Sequence, residues 1–306
     1  MAKFRTNHAQ QSKTSAGGNI VKVGLFAAIV GGLFYIFNLF TGNIPATDPA
    51  VDEQEAYINE DYDEASYYLP GGTNGQIVKH QYYTLSYSEK HEQAEWVAYI
   101  LTRERLVSPW VDRVDNFMPD LKVRTGSATP ADYRGSGYDR GHLVPVADRS
   151  FSEEAMEETF YMSNISPQSR NFNQGIWREL EELTRNWAKK FKKLYVVSGP
   201  VLSQRPKGRV GDNSVSIPQS YYKVLLDYSE PEIKAIAFLL PNEVNYDPLY
   251  KFTVSIDEVE EVTGIDFFPD LLEDQEEEDL ESTFNLDLWQ FSKQKYDMRV
   301  KNWNKR

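Results

Sequence analysis

An uncharged run near the N-terminus divides this chain into segments that we expect to form separate structural units. The run is "VGLFAAIVGGLFYIFNLF", 18 residues at positions 23–40 without a charged side chain. A helix of this length nearly spans the roughly 30 Å hydrocarbon core of a membrane. Its surface is apolar on all sides, which fits lipid better than a globular core. We therefore expect a transmembrane signal-anchor at 23–40, preceded by a basic N-terminal arm at 1–22.

The charge of the arm predicts the orientation of this anchor. Residues 1–22 carry lysine and arginine but no acidic residue, so we expect the arm in the cytoplasm and the rest outside it, periplasmic or at the cell surface. Two alternatives remain open. Cleavage within "IPATDPA" would release a secreted protein, and the acid-free arm could instead direct the chain to the mitochondrial intermembrane space.

The remaining chain divides into an acidic linker at 41–75 and a folded domain at 76–306. The linker has eight acidic and no basic residues and no periodic pattern. Although the net charge is −13, residues 79–251 contain 23 acidic and 23 basic groups. A neutral body can still hold a local basic cleft, because focusing depends on the arrangement of charge. The absence of cysteine excludes disulfides, thiolate metal sites and cysteine nucleophiles.

Hydrophobic patterns in the domain predict an α+β fold. "LYVVSGPVL", "YYKVLLDY" and "IKAIAFLLP" are typical of buried strands, and the apolar spacing of residues 176–187 predicts a helix. The segment around Trp96, Tyr99 and Leu101 is predicted to turn helical after a short strand. "EDQEEEDLE", 273–281, is interpreted as an acidic loop or a solvated helix face. Strands and helices interleave without regular βαβ units.

His142 is the candidate general base, within "YRGSGYDRGHLVPVADRS". An imidazole titrates near neutral pH and can take a proton from water. Arg140 would lie on the same side of a strand, and Gly141 would allow backbone or substrate to approach closely. The alternative is a histidine that only satisfies a strand end. A base beside a guanidinium suits a phosphate ester, because the guanidinium neutralises charge on phosphoryl oxygens.

A second motif, "SNISPQSRNFNQGIWRELEEL", offers oxygen ligands for a cation. Without cysteine and with few histidines, a hard ion such as Mg²⁺ is expected. Asn173 precedes an amphipathic helix that carries Glu181, although an asparagine there is often only an N-cap. In a regular helix the two would be roughly 12 Å apart along the axis. One direct ligand, Asn173, and one carboxylate acting through water, Glu181, is the arrangement we expect.

These two motifs, together with "VVSGPVL", "AIAFLLPNE" and "VEEVTGIDFFPDL", resemble the DNA/RNA non-specific endonucleases, specifically the endonuclease G-like group. The resemblance covers roughly residues 77–290. It implies a central, mostly antiparallel sheet flanked by helices, with a ββα-metal (His-Me finger) core. It also implies metal-dependent hydrolysis of DNA and RNA without sequence preference, leaving 5′-phosphate and 3′-hydroxyl ends.

The resemblance also implies roles for individual residues. His142 corresponds to the general base, and Asn173 to the single protein ligand of Mg²⁺, with Mn²⁺ as an alternative ion. Glu181 corresponds to the carboxylate that orients metal-bound water, and Arg140 to a phosphate contact.

A second catalytic arginine is expected upstream of the main motif. Arg113 is the preferred residue, and Arg134 competes with it. Asp139 is interpreted as structural. Members of the resembled family often form homodimers, so a homodimer is one expected assembly. Two other functions stay open: a phosphodiesterase of small substrates, and a membrane-tethered nucleic-acid-binding protein with a weak or inactive site.

The anchor predicts where a C-terminal topology reporter will be active. A reporter that works only outside the cytoplasm should be active when fused to the full chain, remain in the membrane fraction, and lose activity when residues 1–40 are deleted. Recovery of the active reporter in the soluble extracellular fraction would indicate a cleaved signal instead. Activity of a cytoplasm-specific reporter at the C-terminus would contradict the predicted orientation.

Overall fold

The computed structural model of the chain describes residues 66–272 and 274–305. The predicted arm, the predicted membrane segment at 23–40 and most of the linker therefore lie outside the described residues. Among the residues that are described, none of the helices has the length and apolar character needed to cross a membrane.

A seven-stranded antiparallel sheet is the centre of the described region. Its strands, from one edge to the other, are β1 (Gln76–Lys79), β2 (Thr84–Ser88), β3 (Gln93–Thr102), β6 (Lys193–Pro200), β9 (Ser220–Asp227), β10 (Lys234–Pro241) and β11 (Thr253–Val254). Every neighbouring pair is antiparallel. The predicted α+β class and the large antiparallel sheet are thus confirmed, and β6, β9 and β10 coincide with the three predicted strands.

The helix predicted around Trp96 is wrong, because this segment forms strand β3. Trp96 and Ala98 pack on one face of the sheet, and Val97, Tyr99 and Leu101 pack on the other. All five side chains are fully buried. Because both faces of this strand are buried, its sequence lacks the alternation of apolar and polar residues that marks a half-buried strand. The spacing of its aromatic residues then resembles that of a helix.

Helices cover both faces of the sheet. They are α1 (Arg103–Val107), α2 (Glu153–Glu158), α3 (Arg178–Phe191), α4 (Ile256–Thr263), α5 (Asp274–Glu281) and α6 (Lys293–Lys301). Helix α3 places Leu180, Leu183 and Trp187 in the core on one face, as the apolar spacing predicts. Helix α4 contributes Ile256 and Val259 to the core on the other face. The segment predicted as an acidic loop or helix face forms helix α5.

Two short strands and a helix form a separate unit beside the sheet. Strand β4 (Asp139–His142) pairs antiparallel with β5 (Ile165–Gln168), and His142 lies opposite Ile165. A wide turn, Phe172–Trp177, then leads directly into α3. This is the strand–strand–helix order of the expected core. The remaining strands, β7 (Gly208–Val210) and β8 (Val215–Ile217), form a small antiparallel pair of their own.

Residues that precede Gln76 also contact the domain. The N–H of Gly71 donates to the carbonyl of Asp266 at 2.8 Å, and the N–H of Asp266 donates back at 3.3 Å. Tyr68 is buried, and its ring centroid lies 5.5 Å from that of Tyr195. The described end of the predicted linker therefore packs on the domain.

The C-terminal helix α6 is tied to the helix of the strand–strand–helix unit by a buried ion pair. Arg299 is fully buried, and its Nε donates to Oε2 of Glu179 at 2.5 Å. The same guanidinium donates to the carbonyl of Asp247 at 2.6 Å and to that of Asn245. Because Arg299 of α6 pairs with Glu179 of α3, α6 holds the first turn of α3 in place.

Removing this guanidinium should destabilise the domain strongly. Arg299→Met leaves the Glu179 carboxylate buried without its partner, a change that typically costs about 3–5 kcal/mol. Urea denaturation of the full chain should show this loss, whereas Lys301→Met, an exposed cation on the same helix, should change stability by less than about 0.5 kcal/mol. Equal stability of the two variants would contradict the role given to the pair.

Candidate active site

A polar cleft of about 800 Å³ opens beside strand β4 and the start of the helical segment that follows β5. Its lining includes three arginines and two aspartates, namely Arg134, Arg140, Arg170, Asp115 and Asp139. The amides of Asn173 and Gln174 complete its polar wall. The lining is therefore locally basic in a chain whose net charge is −13, and guanidinium groups suit phosphate oxygens.

Strand β4 places Arg140 and His142 on one side, as the sequence predicts. Both touch the ring of Phe117: Cζ of Arg140 lies 4.0 Å from its centroid, and the imidazole centroid lies 5.4 Å from it. Between them, a Cβ on Gly141 would lie 2.2 Å from the side chain of Gln168. The glycine is thus required by close packing within the protein, rather than by the approach of a substrate.

The imidazole of His142 is held by aromatic contacts. The Phe160 ring meets it edge-on at 5.2 Å between centroids, and the Phe117 ring covers it from another direction. The backbone carbonyl of His142 accepts a hydrogen bond from Nε1 of Trp177 at 3.4 Å. Nε2 of His142 is buried and has no hydrogen-bond partner in the described part of the chain. Nδ1 is therefore the ring nitrogen available to solvent.

The surroundings keep His142 neutral. Burial lowers the pKa of its imidazole to about 3, and the positive charges of Arg113 and Arg140 act in the same direction. Asp115 opposes them only in part. A neutral imidazole has a free lone pair at one nitrogen, and the ring of His142 stays in this unprotonated form throughout the physiological pH range.

Two other arginines lie near this pair of residues. Arg113 places its guanidinium 5.6 Å from the Phe160 ring and donates from Nε to Asp115 at 2.5 Å. Arg134 lines the cleft together with Arg140. Both side chains are exposed and free to turn toward a bound anion. Arg113 is the one whose charge reaches His142.

Asn173 presents its carbonyl oxygen to the cleft. Its Nδ2 donates to Oδ2 of Asp139 at 3.1 Å, and its backbone N–H donates to the carbonyl of Ser169 at 2.9 Å. The Asn173 side chain is therefore not acting as a simple N-cap. Its Oδ1 accepts no hydrogen bond from the described residues. Asp139, also paired with Arg170 at 3.8 Å, orients this amide, which fits its structural interpretation.

This donor set fits a hard cation such as Mg²⁺. A free amide oxygen in an open polar cleft is a suitable oxygen ligand. In the part of the chain that the structure describes, no three His, Asp or Glu side chains converge on the cleft. A cation bound at Asn173 would therefore keep water or phosphate oxygens as most of its ligands, as Mg²⁺ usually does.

The helical segment between Asn173 and Glu181 is not regular. Residues 172–177 form a wide turn, and Gly175 adopts φ −105° and ψ −109°, outside the helical region. A Cβ at Gly175 would lie 2.6 Å from Oδ1 of Asn304. The separation calculated for a regular helix consequently does not apply to these two residues.

Glu181 belongs to a group of charged residues that sequence reasoning missed. Burial raises the pKa of Glu181 to about 7, although the charges of Arg185 and Lys223 oppose this. Arg185 donates to Oδ1 of the buried Asp148 at 2.9 Å. Lys223 is fully buried, and its Nζ has no hydrogen-bond partner among the described residues. Burial lowers the pKa of Lys223 to about 8.

Trp177 contacts both groups of residues. It donates to the carbonyl of His142, and the centroid of its ring lies 4.9 Å from Nζ of Lys223. Within the described residues, no hydrogen bond or ion pair joins Glu181 directly to Asn173 or Arg140. Two signals could have revealed this group: a lysine inside the apolar strand "YYKVLLDY", and an arginine four residues after Glu181 on the same helix face.

A sequence model of the DNA/RNA non-specific endonuclease family matches residues 63–274, which include every residue of this site. The chain belongs to the DNA/RNA non-specific endonuclease family. It is accordingly an endonuclease, and the basic cleft is its candidate active site.

Named relatives of this endonuclease occur in animals and bacteria. Human "Endonuclease G, mitochondrial" is 35% identical over 221 residues, which cover 68% of this chain and 74% of that protein. "Nuclease EXOG, mitochondrial" of Xenopus laevis is 33% identical over 252 residues, covering 78% of this chain and 68% of the relative. A "Nuclease" from Nostoc sp. is 36% identical over 211 residues, covering 63% and 73%.

A solved structure has the same fold. The crystal structure of an EndoG/EndoGI complex, which addresses the mechanism of EndoG inhibition, aligns with a TM-score of 0.63 and 28% identity. The alignment covers 77% of this chain and 96% of that chain.

The depressed pKa of His142 predicts its behaviour in acid. Its folded pKa lies below the unfolded value of about 6.5, so the unfolded state binds a proton first and stability falls as pH drops below that value. Ring NMR signals of His142, assigned by their loss in His142→Gln, should stay those of a neutral imidazole to below pH 5. Titration with a midpoint of 6 or above would contradict the burial that the structure shows.

Proposed function

We propose that this endonuclease hydrolyses phosphodiester bonds of DNA and RNA without sequence preference, using His142 as general base and one hydrated Mg²⁺. The products would carry 5′-phosphate and 3′-hydroxyl ends. The observation that supports this most is the convergence on one strand face of a neutral imidazole and the Arg140 guanidinium, beside the cleft that receives the Asn173 oxygen.

His142 would act through its solvent-facing nitrogen. Nδ1 accepts a proton from a water, which attacks phosphorus in line with the leaving 3′ oxygen. The aromatic contacts of the ring restrict its rotation and keep Nδ1 directed at that water. In this proposal the neutral ring carries its proton on the buried Nε2 and keeps its lone pair on Nδ1.

Guanidinium groups would stabilise the charge that grows on the phosphoryl oxygens. Arg140 is the main contact, since it is exposed at the cleft and its guanidinium lies over the Phe117 ring. Arg113 is the proposed second arginine, and Arg134 the alternative. Both can reach a phosphate without breaking a buried interaction.

Asn173 would hold the cation directly, and Glu181 would hold it through a water. When bound, Mg²⁺, or Mn²⁺ in its place, neutralises charge on the scissile phosphate and on the leaving oxygen. Two observations support this role of Glu181. The irregular turn at 172–177 changes its position relative to Asn173, and the charges of Arg185 and Lys223 favour its ionised form.

Broad substrate choice follows from the chemistry of the cleft. Contacts to phosphates position the nucleic acid but carry little sequence information. Binding should therefore weaken steeply with salt. The acidic residues outside 79–251 reduce loose adhesion to nucleic acid elsewhere on the molecule.

We further propose that residues 23–40 anchor the domain to a membrane and hold it outside the cytoplasm. The human and Xenopus relatives are named as mitochondrial proteins, which supports the intermembrane space as the alternative location. Cleavage to a secreted form is a third outcome, and a homodimer is the proposed assembly.

Digestion of plasmid DNA and of RNA tests the catalytic assignment. The full chain should cut both with Mg²⁺ and neither with EDTA. His142→Ala should lower the rate about 10²–10⁴-fold, the usual contribution of a general base. His91→Ala is the matched control, because His91 is another buried histidine, bonded to Ser216, and the contacts with Phe117 and Phe160 belong to His142. Its rate should change less than threefold.

Asn173 variants separate cation binding from folding. Asn173→Asp keeps an oxygen ligand and should cut at a shifted Mg²⁺ requirement, whereas Asn173→Ala should need far more Mg²⁺ or remain inactive. Undiminished Mg²⁺-dependent cleavage by His142→Ala would rule out His142 as the general base. Binding of plasmid without any cleavage would favour the inactive binding protein, and preference for a small diester over plasmid would favour the small-substrate phosphodiesterase.

A further inference from the structure

Three carboxylates converge in a place that the catalytic cleft does not include. They belong to Asp257 and Glu260 on α4 and to Glu281 at the end of α5, and one oxygen of each lies within 4.8 Å of the others. None of these residues lines the cleft. The cluster lies beside the sheet face covered by α4, where helix α5 docks.

Glu281 distinguishes this cluster from an ordinary acidic surface. The side chain is only 5% exposed, and its Oε1 is buried without a hydrogen-bond partner among the described residues. A buried, unpartnered carboxylate oxygen is costly unless another group compensates for it. Elsewhere on α5, Glu276 accepts a hydrogen bond from Tyr228 and Asp279 accepts one from Gln275, but Glu281 is turned inward toward Asp257 and Glu260.

Among the described residues, no basic side chain compensates for these charges. Within the described ranges, no Lys, Arg or His forms an ion pair with Asp257, Glu260 or Glu281. Burial raises the pKa of Glu281 to about 9, and neighbouring Glu260, Glu277, Asp257 and Asp266 add to the rise. Burial likewise raises the pKa of Glu260 to about 7. The fold therefore brings together like charges that repel one another.

We propose that Asp257, Glu260 and Glu281 bind a divalent cation, Ca²⁺ in preference to Mg²⁺, at a site separate from the catalytic cleft. Oxygen ligands on opposite sides of one Ca²⁺ are separated by up to about 5 Å, twice the usual Ca²⁺–oxygen distance of about 2.3–2.6 Å. The observed oxygen separations fit within this limit. Mg²⁺ requires shorter bonds of about 2.1 Å and a near-octahedral set.

The cation would have a structural role. Oε1 of Glu260 already accepts a hydrogen bond from the N–H of Phe267 at 2.8 Å, and the adjacent Asp266 pairs with Gly71. An ion shared by Glu260 and Glu281 would connect α5 to α4 and to this loop. It would thus connect the segment around Gly71, which precedes strand β1, to the C-terminal region of the domain.

Calcium titration of the full chain tests the site without relying on cleavage. The background is Asn173→Ala, which removes the proposed direct ligand of the catalytic cation. After treatment with EDTA, isothermal titration with CaCl₂ should show one bound Ca²⁺, and the midpoint of thermal unfolding should rise by several degrees. MgCl₂ should bind at least tenfold more weakly.

Substitutions in the cluster should abolish this response. Glu281→Gln should lose Ca²⁺ binding, and the exposed Asp257→Asn, which leaves the core untouched, should weaken it at least tenfold. Glu261→Gln is the matched control: it removes the same charge from the same helix outside the cluster and should bind Ca²⁺ normally. If Glu281→Gln fails to fold, Asp257→Asn still decides the outcome.

Three results would overturn the proposal. One is the absence of Ca²⁺ binding in the Asn173→Ala background, and another is an equal loss in Asp257→Asn and Glu261→Gln. The third is a rise in thermal stability for Glu281→Gln in EDTA while Ca²⁺ leaves the parent unchanged. That outcome would show that a shared proton, rather than a metal, neutralises the cluster. Plasmid cleavage by the unmodified chain is unaffected by any of these results.

Discussion

The packing of Trp177 is the constraint on which the site depends. This side chain is fully buried, and it contacts Phe172 and Tyr221 with centroid separations of 5.5 and 5.7 Å. Its N–H reaches the backbone of His142 in β4, and its ring receives Lys223 of the central sheet. One indole therefore fixes the small strand pair, the start of α3 and the sheet relative to one another. The general-base role proposed for His142 would need this rigidity, because such catalysis depends on a water held within hydrogen-bond reach.

The charged residues of the molecule form separate regions with different roles. The cleft is lined by guanidinium groups that suit phosphate, and it lies beside strand β4, where burial keeps His142 neutral. Glu181, Arg185, Asp148 and Lys223 form a nearly balanced buried group behind it. The excess acid lies in segments before residue 79 and after 251. A strongly acidic chain can thus act on a polyanion, because local arrangement governs the potential at the cleft.

Two buried carboxylates, Glu179 and Glu281, illustrate what such groups require. Glu179 receives the guanidinium of Arg299, and that pair joins α6 to α3. Glu281 is equally secluded but meets Asp257 and Glu260 instead of a cation. The first arrangement is complete within the chain, whereas the second needs a partner from solution. This contrast, rather than the number of acidic residues in α5, is what indicates an ion.

The sequence by itself determined the α+β class, three central strands, the helix at 178–191 and the two motifs that carry the family. These features are local, since apolar spacing and motif residues lie within a few positions of one another. Only the tertiary structure decided that residues 93–102 form a strand, because burial on both faces erased their period of two. It also decided that Phe117, Phe160 and Trp177 surround His142, and that Lys223 lies near Glu181. Those contacts join residues that are far apart in the sequence. Only tertiary packing brings them together, and no local sequence pattern predicts it.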